Sequence, residues 1–234
     1  MEQQLDLAHL LTQVALEMAQ PQTVDETLDT IVQAARRSLD HVDHVGIAVV
    51  RPNGRVETHA ASDDVVRRLD KLQYDVGEGP CLDALATGRT VRVEHAATDP
   101  RWPAFLPAAV ELGVLSQVGL RLGEEGRIIG ALNLYSTSSP ALDDEMVQLA
   151  EMFAVHATLA LGRVRSESQL QFGLSSRTDI GQAMGILMER YQLDRDNAFG
   201  FLTRASTTSN TKLRDVASRL VLETERSHTR AKPG

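Results

Sequence analysis

Much is scarce in this 234-residue chain, and each scarcity excludes something. It has one cysteine, Cys81. No intrachain disulfide can form, which fits a reducing compartment. A thiol-bound metal cluster would need more sulfur than one residue supplies. No run of 18 apolar residues exists, so no transmembrane helix is expected. The opening MEQQLDLAHL is polar and acidic, unlike a secretory signal peptide, and the expected location is the cytoplasm. Catalytic signatures are missing too: no Gly-x-Ser-x-Gly elbow, no phosphate-binding loop, no HExxH. The carboxylate pairs Asp63-Asp64 and Asp143-Asp144 fall at expected helix starts, where the helix dipole explains them without chemistry. No enzyme, cofactor or metal site is expected.

Positive charge is also in deficit, with a net charge of −8, but unevenly. Residues up to 165 hold 14 Lys/Arg against 24 Asp/Glu, a balance of −10. Beyond 165 there are 10 against 8, a balance of +2. The contrast suggests two domains with different partners. A balance of +2 does not by itself establish nucleic-acid binding.

What is present reads as α+β followed by all-α. Residues 5–18 repeat apolar positions at helical spacing (Leu7, Leu10, Leu11, Val14, Met18), and Pro21 ends that helix. Thr23 and Glu26 are spaced as a capping box for a second helix. VGIAVV (45–50), a Pro-Asn-Gly turn and RVETHA (55–60) read as a hairpin. DDVVRRLDKL (63–72) reads as a helix and TVRVEH (90–95) alternates. QVGLRL (117–122) and IIGALNLYS (128–136) form a second hairpin across a Gly-rich turn, and 145–164 is a long helix. An antiparallel sheet flanked by helices is the expected first fold. Three shorter helices follow. The first covers 177–191, with Ile180, Ala183, Met184, Leu187 and Tyr191 on one face. The second covers about 195–207, with Ala198, Phe199, Leu202 and Ala205, and the third about 211–225. Asp194 is the expected cap of the second, and Ser209 or Asn210 of the third.

Two families are visible in these residues. Gly77-Glu78-Gly79-Pro80-Cys81, Asp99-Pro100-Arg101-Trp102-Pro103 and Gly130-Ala131-Leu132-Asn133-Leu134-Tyr135-Ser136 resemble a GAF domain, over about residues 20–162. RTDIGQAMGILMERYQLDRDNAFGFLTRASTTSNTKLRDVA resembles an ANTAR domain through Ile180, Gln182, Ala183, Gly185, Ile186, Leu187, Met188, Ala198, Phe199, Leu202, Ala205, Leu213, Val216 and Ala217. The pair is similar to actinobacterial GAF–ANTAR regulators. The resemblance implies an α+β GAF domain followed by a small three-helix ANTAR domain. It implies a transcription antiterminator whose ANTAR helices bind RNA, as a homodimer reading tandem stem-loops. The implied layout is a GAF sensor or dimerisation domain over 1–164, a helical linker over 165–176, the RNA-binding domain over 177–228 and a disordered tail over 229–234. Rival functions are a DNA-binding regulator and a protein-interaction module without nucleic acid.

The candidate RNA contacts are the side chains that the apolar stripes turn outward: Arg177, Gln182, Arg190, Arg204, Asn210, Lys212, Arg214 and Arg219. Lys and Arg serve phosphates, while amides and Arg read unstacked loop bases. The alternative is a solvated face with ordinary pairs such as Asp215–Arg219. Met184 stands where many ANTAR domains carry lysine. Gly185 allows a helix or a nucleic-acid backbone to come close, helix packing being the favoured reading; Gly181 is less informative. Tyr191 either closes the core or stacks on a base. Cys81 lacks a basic neighbour in sequence and reads as a small buried hydrophobe. Trp102 reads as a loop anchor, and His59, His95 and His156 as structural or exposed rather than haem ligands. Asn133 is followed by Leu134, unlike the Asn-Lys of cyclic-nucleotide GAF domains, so any GAF ligand is unknown. Leu149, Phe153, His156, Ala160 and Val164 recur every three or four residues and suggest a dimeric coiled-coil seam, the alternative being a face packed against the GAF sheet.

Overall fold

The computed structural model describes residues 12–20, 23–51, 53–124 and 127–230, without the side chains of 124, 127, 165, 168, 169, 171, 172 and 227–230. Five parts of the sequence reading lie outside the described residues: the start of the first helix, Pro21 at its end, Pro52, the hairpin tip at 125–126 and the tail at 231–234. The chain divides into two compact units, residues 1–165 and 166–234.

In the first unit, α1 (residues 12–19) and α2 (Val24–Ser38) precede a hairpin of β1 (His44–Val50) and β2 (Val56–Ala61). Then come α3 (Asp64–Val76), α4 (Pro80–Thr87), β3 (Val91–Val93), α5 (Leu106–Glu111), β4 (Ser116–Glu124) and β5 (Arg127–Ser136). The first stretch of α6 (Asp144–Tyr191) closes the unit. All five strands pair antiparallel in the order β2-β1-β5-β4-β3. Alternation along the strands gives the sheet two apolar faces. One carries Val45, Ile47, Val118, Leu120, Leu122, Leu132 and Leu134, packed with Met18 of α1, Leu28 and Ile31 of α2 and Phe153 of α6. The other carries Ala48, Ala131 and Tyr135, under Val66 and Leu69 of α3, Cys81 and Leu85 of α4, and the Trp102–Ala109 segment.

Local chemistry sets the helix starts. Thr23 Oγ1 accepts from the Glu26 amide and Glu26 Oε2 from the Thr23 amide, both at 3.2 Å, which completes the capping box. Asp63 Oδ1 accepts from the Val65 and Val66 amides, and Asp143 Oδ1 accepts from the Met146 amide at 2.8 Å. Each such cap stabilises its helix by about 1 kcal/mol. Two glycines set strand and helix spacing. A Cβ on Gly130 would lie 1.9 Å from the Ala48 carbonyl oxygen. One on Gly119 would lie 2.8 Å from the Pro80 carbonyl oxygen, where α4 rests on β4.

Of the two readings of the Leu149–Val164 stripe, the structure supports packing against the sheet and corrects the coiled-coil seam. Phe153 and Ala160 belong to the core over the sheet, and Val164 is buried as well. A helix covered by its own sheet shows the same three-and-four spacing as one covered by a partner helix. The apolar side chains this stretch leaves exposed are Met152, Val155 and Leu159.

The second unit comprises α6 up to Tyr191, α7 (Arg195–Ser209) and α8 (Leu213–Arg230). The linker and the first short helix of the sequence reading are one continuous helix, because 165–176 holds no proline to stop it. Its core is Ala183, Leu187, Ala198, Leu202 and Ala217, flanked by Ile180, Met184, Leu193, Leu213, Val216, Leu220 and Val221. The alanines let three helices close on a core that needs no large ring. The core readings of Phe199 and Tyr191 are therefore corrected: both are exposed, which leaves the base-stacking alternative for Tyr191. Asp194 caps α7, its Oδ1 accepting from the Asn197 amide at 2.8 Å. Asn210 does not cap α8. It is the left-handed C-cap of α7, with φ 49° and ψ 36°, a conformation that asparagine tolerates better than most side chains. α8 runs to Arg230, so the tail expected from 229 begins inside the helix.

Candidate functional site

The first unit buries a polar cluster between α3 and the sheet. Val66, Leu69, Asp70 and Gln73 form the buried face of α3. Asp70 Oδ1 accepts from the Tyr135 hydroxyl at 2.5 Å and from Asn133 Nδ2 at 3.0 Å. Its Oδ2 lies 2.7 Å from Thr58 Oγ1. Gln73 Nε2 donates to the Tyr135 hydroxyl at 3.1 Å, and Gln73 Oε1 accepts from the Cys81 amide at 2.9 Å. Asp70 is fully buried among neutral partners. Burial pushes its pKa above the ordinary 3.8, against the hydrogen bonds from Tyr135, Thr58 and Asn133. A buried carboxyl of this kind is held as the acid unless its hydrogen bonds outweigh desolvation. Asn133 Oδ1 and both amide atoms of Gln117 are buried without a hydrogen-bond partner.

Cys81 is wholly buried, and burial pushes its thiol up to about 12. Its thiolate is unavailable at neutral pH, in keeping with the reading as a buried hydrophobe. Trp102 is buried, donates from Nε1 to Asp83 at 3.0 Å and lies 4.4 Å beneath the Arg101 guanidinium. It anchors its loop as expected. His59 pairs with Asp25 at 2.7 Å. Among the described residues no three His, Cys, Asp or Glu side chains converge to hold a metal ion.

The second unit presents cations instead. Arg177, Gln182, Arg190, Arg204, Asn210, Lys212 and Arg219 are exposed, and Arg214 is half-buried. The turn between α7 and α8 gathers Asn210, Lys212 and Arg214. Arg177 and Gln182 lie about 20 and 12 Å before Arg190 along α6, at 1.5 Å per residue. Among the described residues one member of the set has a carboxylate partner: Arg214 Nε lies 3.1 Å from Asp215 Oδ1. The expected Asp215–Arg219 pair does not form, because Asp215 turns to its neighbour, and Arg219 stays free among the described residues. In the first unit Arg37, Arg51, Arg92 and Arg101 sit on carboxylates, whereas Arg36, Arg68 and Arg89 form no such pair among the described residues. Met184 packs on the small core, so that position is not directed at a phosphate. A Cβ on Gly181 or Gly185 would meet nothing within 4 Å. The favoured reading of Gly185 as a helix-packing position therefore finds no neighbour within the described chain.

Sequence reasoning missed Arg195, exposed at the start of α7, and Phe201, which stacks on Tyr191 with ring centroids 6.2 Å apart and planes 21° from parallel. Phe201 is the only aromatic on its flank of α7, and its place outside the Ala198–Leu202 stripe was the available signal.

A family model described as GAF domain matches residues 21–162, and one described as ANTAR domain matches residues 168–221. The chain belongs to the GAF family and carries an ANTAR domain behind it. No match is found among curated proteins. Solved structures similar to the first unit are GAF folds. The GAF domain of an Acinetobacter phosphoenolpyruvate-protein phosphotransferase is 16% identical, with a TM-score of 0.54 over 71% of this chain and 96% of that one. A domain of a Sinorhizobium meliloti two-component sensor histidine kinase is 17% identical, with a TM-score of 0.53 over 64% and 99%. Free methionine-R-sulfoxide reductase from Neisseria meningitidis, solved with its substrate, is 17% identical, with a TM-score of 0.54 over 69% and 91%. Identities this low carry the fold alone. The buried cluster of Asp70, Asn133, Tyr135 and Gln73 thus lies on the α3 side of the GAF sheet, and the free cations belong to the ANTAR domain. Among the described residues no helix is long and apolar enough to cross a membrane.

Proposed function

We propose that this protein is a cytoplasmic, non-enzymatic RNA-binding regulator of transcription antitermination. Its ANTAR domain grips RNA stem-loops, and its GAF domain supplies sensing or dimerisation. The observation that carries this reading is the ANTAR match together with a helical unit that leaves Arg190, Arg204, Lys212 and Arg219 free of carboxylates. Such cations neutralise phosphates and release counterions, which drives association. The acidic GAF domain repels nucleic acid, which confines contact to the C-terminal unit. A homodimer would present two such units to two hairpins in tandem.

A gel-shift titration of the full chain tests this at several fixed salt concentrations. The probes are a tandem-hairpin RNA, a single-hairpin RNA and duplex DNA of equal length. The tandem RNA is expected to bind tightest. Removing one phosphate-contacting cation, by Arg204→Ala or Lys212→Ala, is expected to reduce the slope of log K against log salt by about 1. Preference for duplex DNA would replace the RNA reading with a DNA-binding one. Equal affinity of both alanine variants and the wild-type chain would remove these cations from the interface.

A further inference from the structure

The ANTAR unit closes its core on alanine and leucine, yet it leaves two aromatic rings stacked on each other in water. Tyr191, the last residue of α6, is 57% exposed, and Phe201 of α7 is 45% exposed. The rings come from different helices and lie 6.2 Å apart at 21°. Aromatic side chains carry large apolar area, and a core in need of cover would have taken it. Here the core residues Ala183, Leu187, Ala198 and Leu202 are already buried without these rings.

Two exposed arginines stand close to the two rings along the chain. Arg190 precedes Tyr191 in α6. Arg204 stands one turn beyond Phe201 in α7, and its Nη1 lies 3.5 Å from where a Cβ on Gly200 would be. That distance is an ordinary van der Waals contact, which lays the Arg204 guanidinium back along the surface of α7 over Gly200. Neither arginine has a carboxylate partner among the described residues. An exposed π-face with free cations beside it suits a nucleobase whose own face is bare and whose phosphates lie within reach. Paired bases in a stem hide their faces, so a stem cannot use such a platform. An unpaired base in a hairpin loop can.

We propose that the Tyr191–Phe201 stack is a platform for one unpaired loop base of the bound RNA, with Arg190 and Arg204 holding the phosphates on either side. This rests on the RNA-binding reading above and adds the site of loop recognition. Every base has a π-face, so the platform favours unpaired over paired nucleotides more than one base over another. The two rings are too close to admit a base between them, so the base lies on the outer face of the pair.

The test uses the full chain and a tandem-hairpin RNA carrying 2-aminopurine at one loop position at a time. On binding, the fluorescence of one loop position is expected to be quenched by stacking, while 2-aminopurine in the stem is not. Tyr191→Leu and Phe201→Leu keep apolar bulk and remove the ring. Each is expected to abolish that quench and weaken binding roughly tenfold, with the salt slope unchanged. Tyr191→Phe keeps the ring and should keep both affinity and quench. Arg204→Gln should instead flatten the salt slope by about 1. An abasic loop nucleotide at the quenched position should erase the difference between wild type and the leucine variants. Far-UV circular dichroism confirms that each variant retains its helices. If the wild-type chain binds the RNA and the leucine variants bind and quench equally, the platform is refuted while RNA binding stands. If the leucine variants lose self-association and keep RNA affinity, the stack is a protein interface and the proposal fails. If the wild-type chain binds no RNA, the reading beneath it fails.

Discussion

Asp70→Asn provides a test of the buried GAF cluster with a defined sign. Below the ordinary 3.8, Asp70 is protonated whether the chain is folded or not. Above it, the unfolded chain releases this proton while burial makes the folded chain keep it. The wild-type chain therefore loses stability through this group as pH rises, by about 1.4 kcal/mol per pH unit, until the folded carboxyl itself ionises. Asp43, Asp63 and Asp99 are lowered instead, so their contributions run the other way, growing as pH rises. Asparagine reproduces the protonated acid atom for atom. Its Oδ1 can accept from Tyr135 and Asn133, and its Nδ2 can donate to Thr58 Oγ1. The difference between variant and wild type cancels the lowered acids, Glu57 among them, and isolates residue 70. Trp102 is the one tryptophan and is buried in the GAF domain, so its fluorescence in urea reports that domain alone. The two proteins should have similar stability near pH 4. Asp70→Asn should gain on the wild type by up to about 1.4 kcal/mol per pH unit above that. Parallel stability curves between pH 5 and 8, with the variant less stable throughout, would show that the folded carboxyl ionises normally and would refute the argument. Asp70→Ala, by contrast, strands Tyr135 and Asn133 donors and should cost about 2–5 kcal/mol near pH 4, a cost that shrinks as rising pH destabilises the wild type.

Two further substitutions test packing and backbone. Gly130→Ala places a methyl group against the Ala48 carbonyl inside the β1–β5 pairing, and it should lower GAF stability by about 3 kcal/mol, read as an earlier Trp102 urea midpoint. Asn210→Ala forces alanine into the left-handed cap of α7 and should cost about 1 kcal/mol, whereas Asn210→Gly should not; faster amide exchange at the end of α7 in the alanine variant alone is the expected result.

Legibility followed locality. Thr23, Asp63, Asp143 and Asp194 announced their helices because a cap is a contact with an amide two or three residues on. The strands of both hairpins were visible as β runs flanking turn residues. What escaped depended on partners far along the chain. Asp70 scanned as one more charge in DDVVRRLDKL, although its spacing of four from Val66 and three before Gln73 placed it on the covered face. Its acceptors and donors come from Thr58, Asn133 and Tyr135, up to 65 residues away. The Phe153–Val164 stripe is legible as a covered face, but its spacing alone does not choose between the sheet and a partner helix, since both leave the same imprint. In the ANTAR unit, ring size misled. Phe199 and Tyr191 are more apolar than Ala198 and Ala183, and the unit nonetheless buries the alanines, because close helix spacing leaves no room for rings. Among the candidate RNA residues the sequence found the exposed cations, whereas the Asp215 partner was decided by one residue of helix geometry.

The state of Cys81 has a practical reach. A thiol wholly enclosed and pushed up to about 12 is silent toward maleimides and disulfide reagents while the GAF domain stays folded. The wild-type chain is thus already a cysteine-free background for chemistry in solution. A single new cysteine at an exposed position such as Ser175 in α6 or Thr208 in α7 would be the sole site taking a dye or a spin label. Distances between labels in an RNA-bound assembly could then be measured with every native residue but one in place.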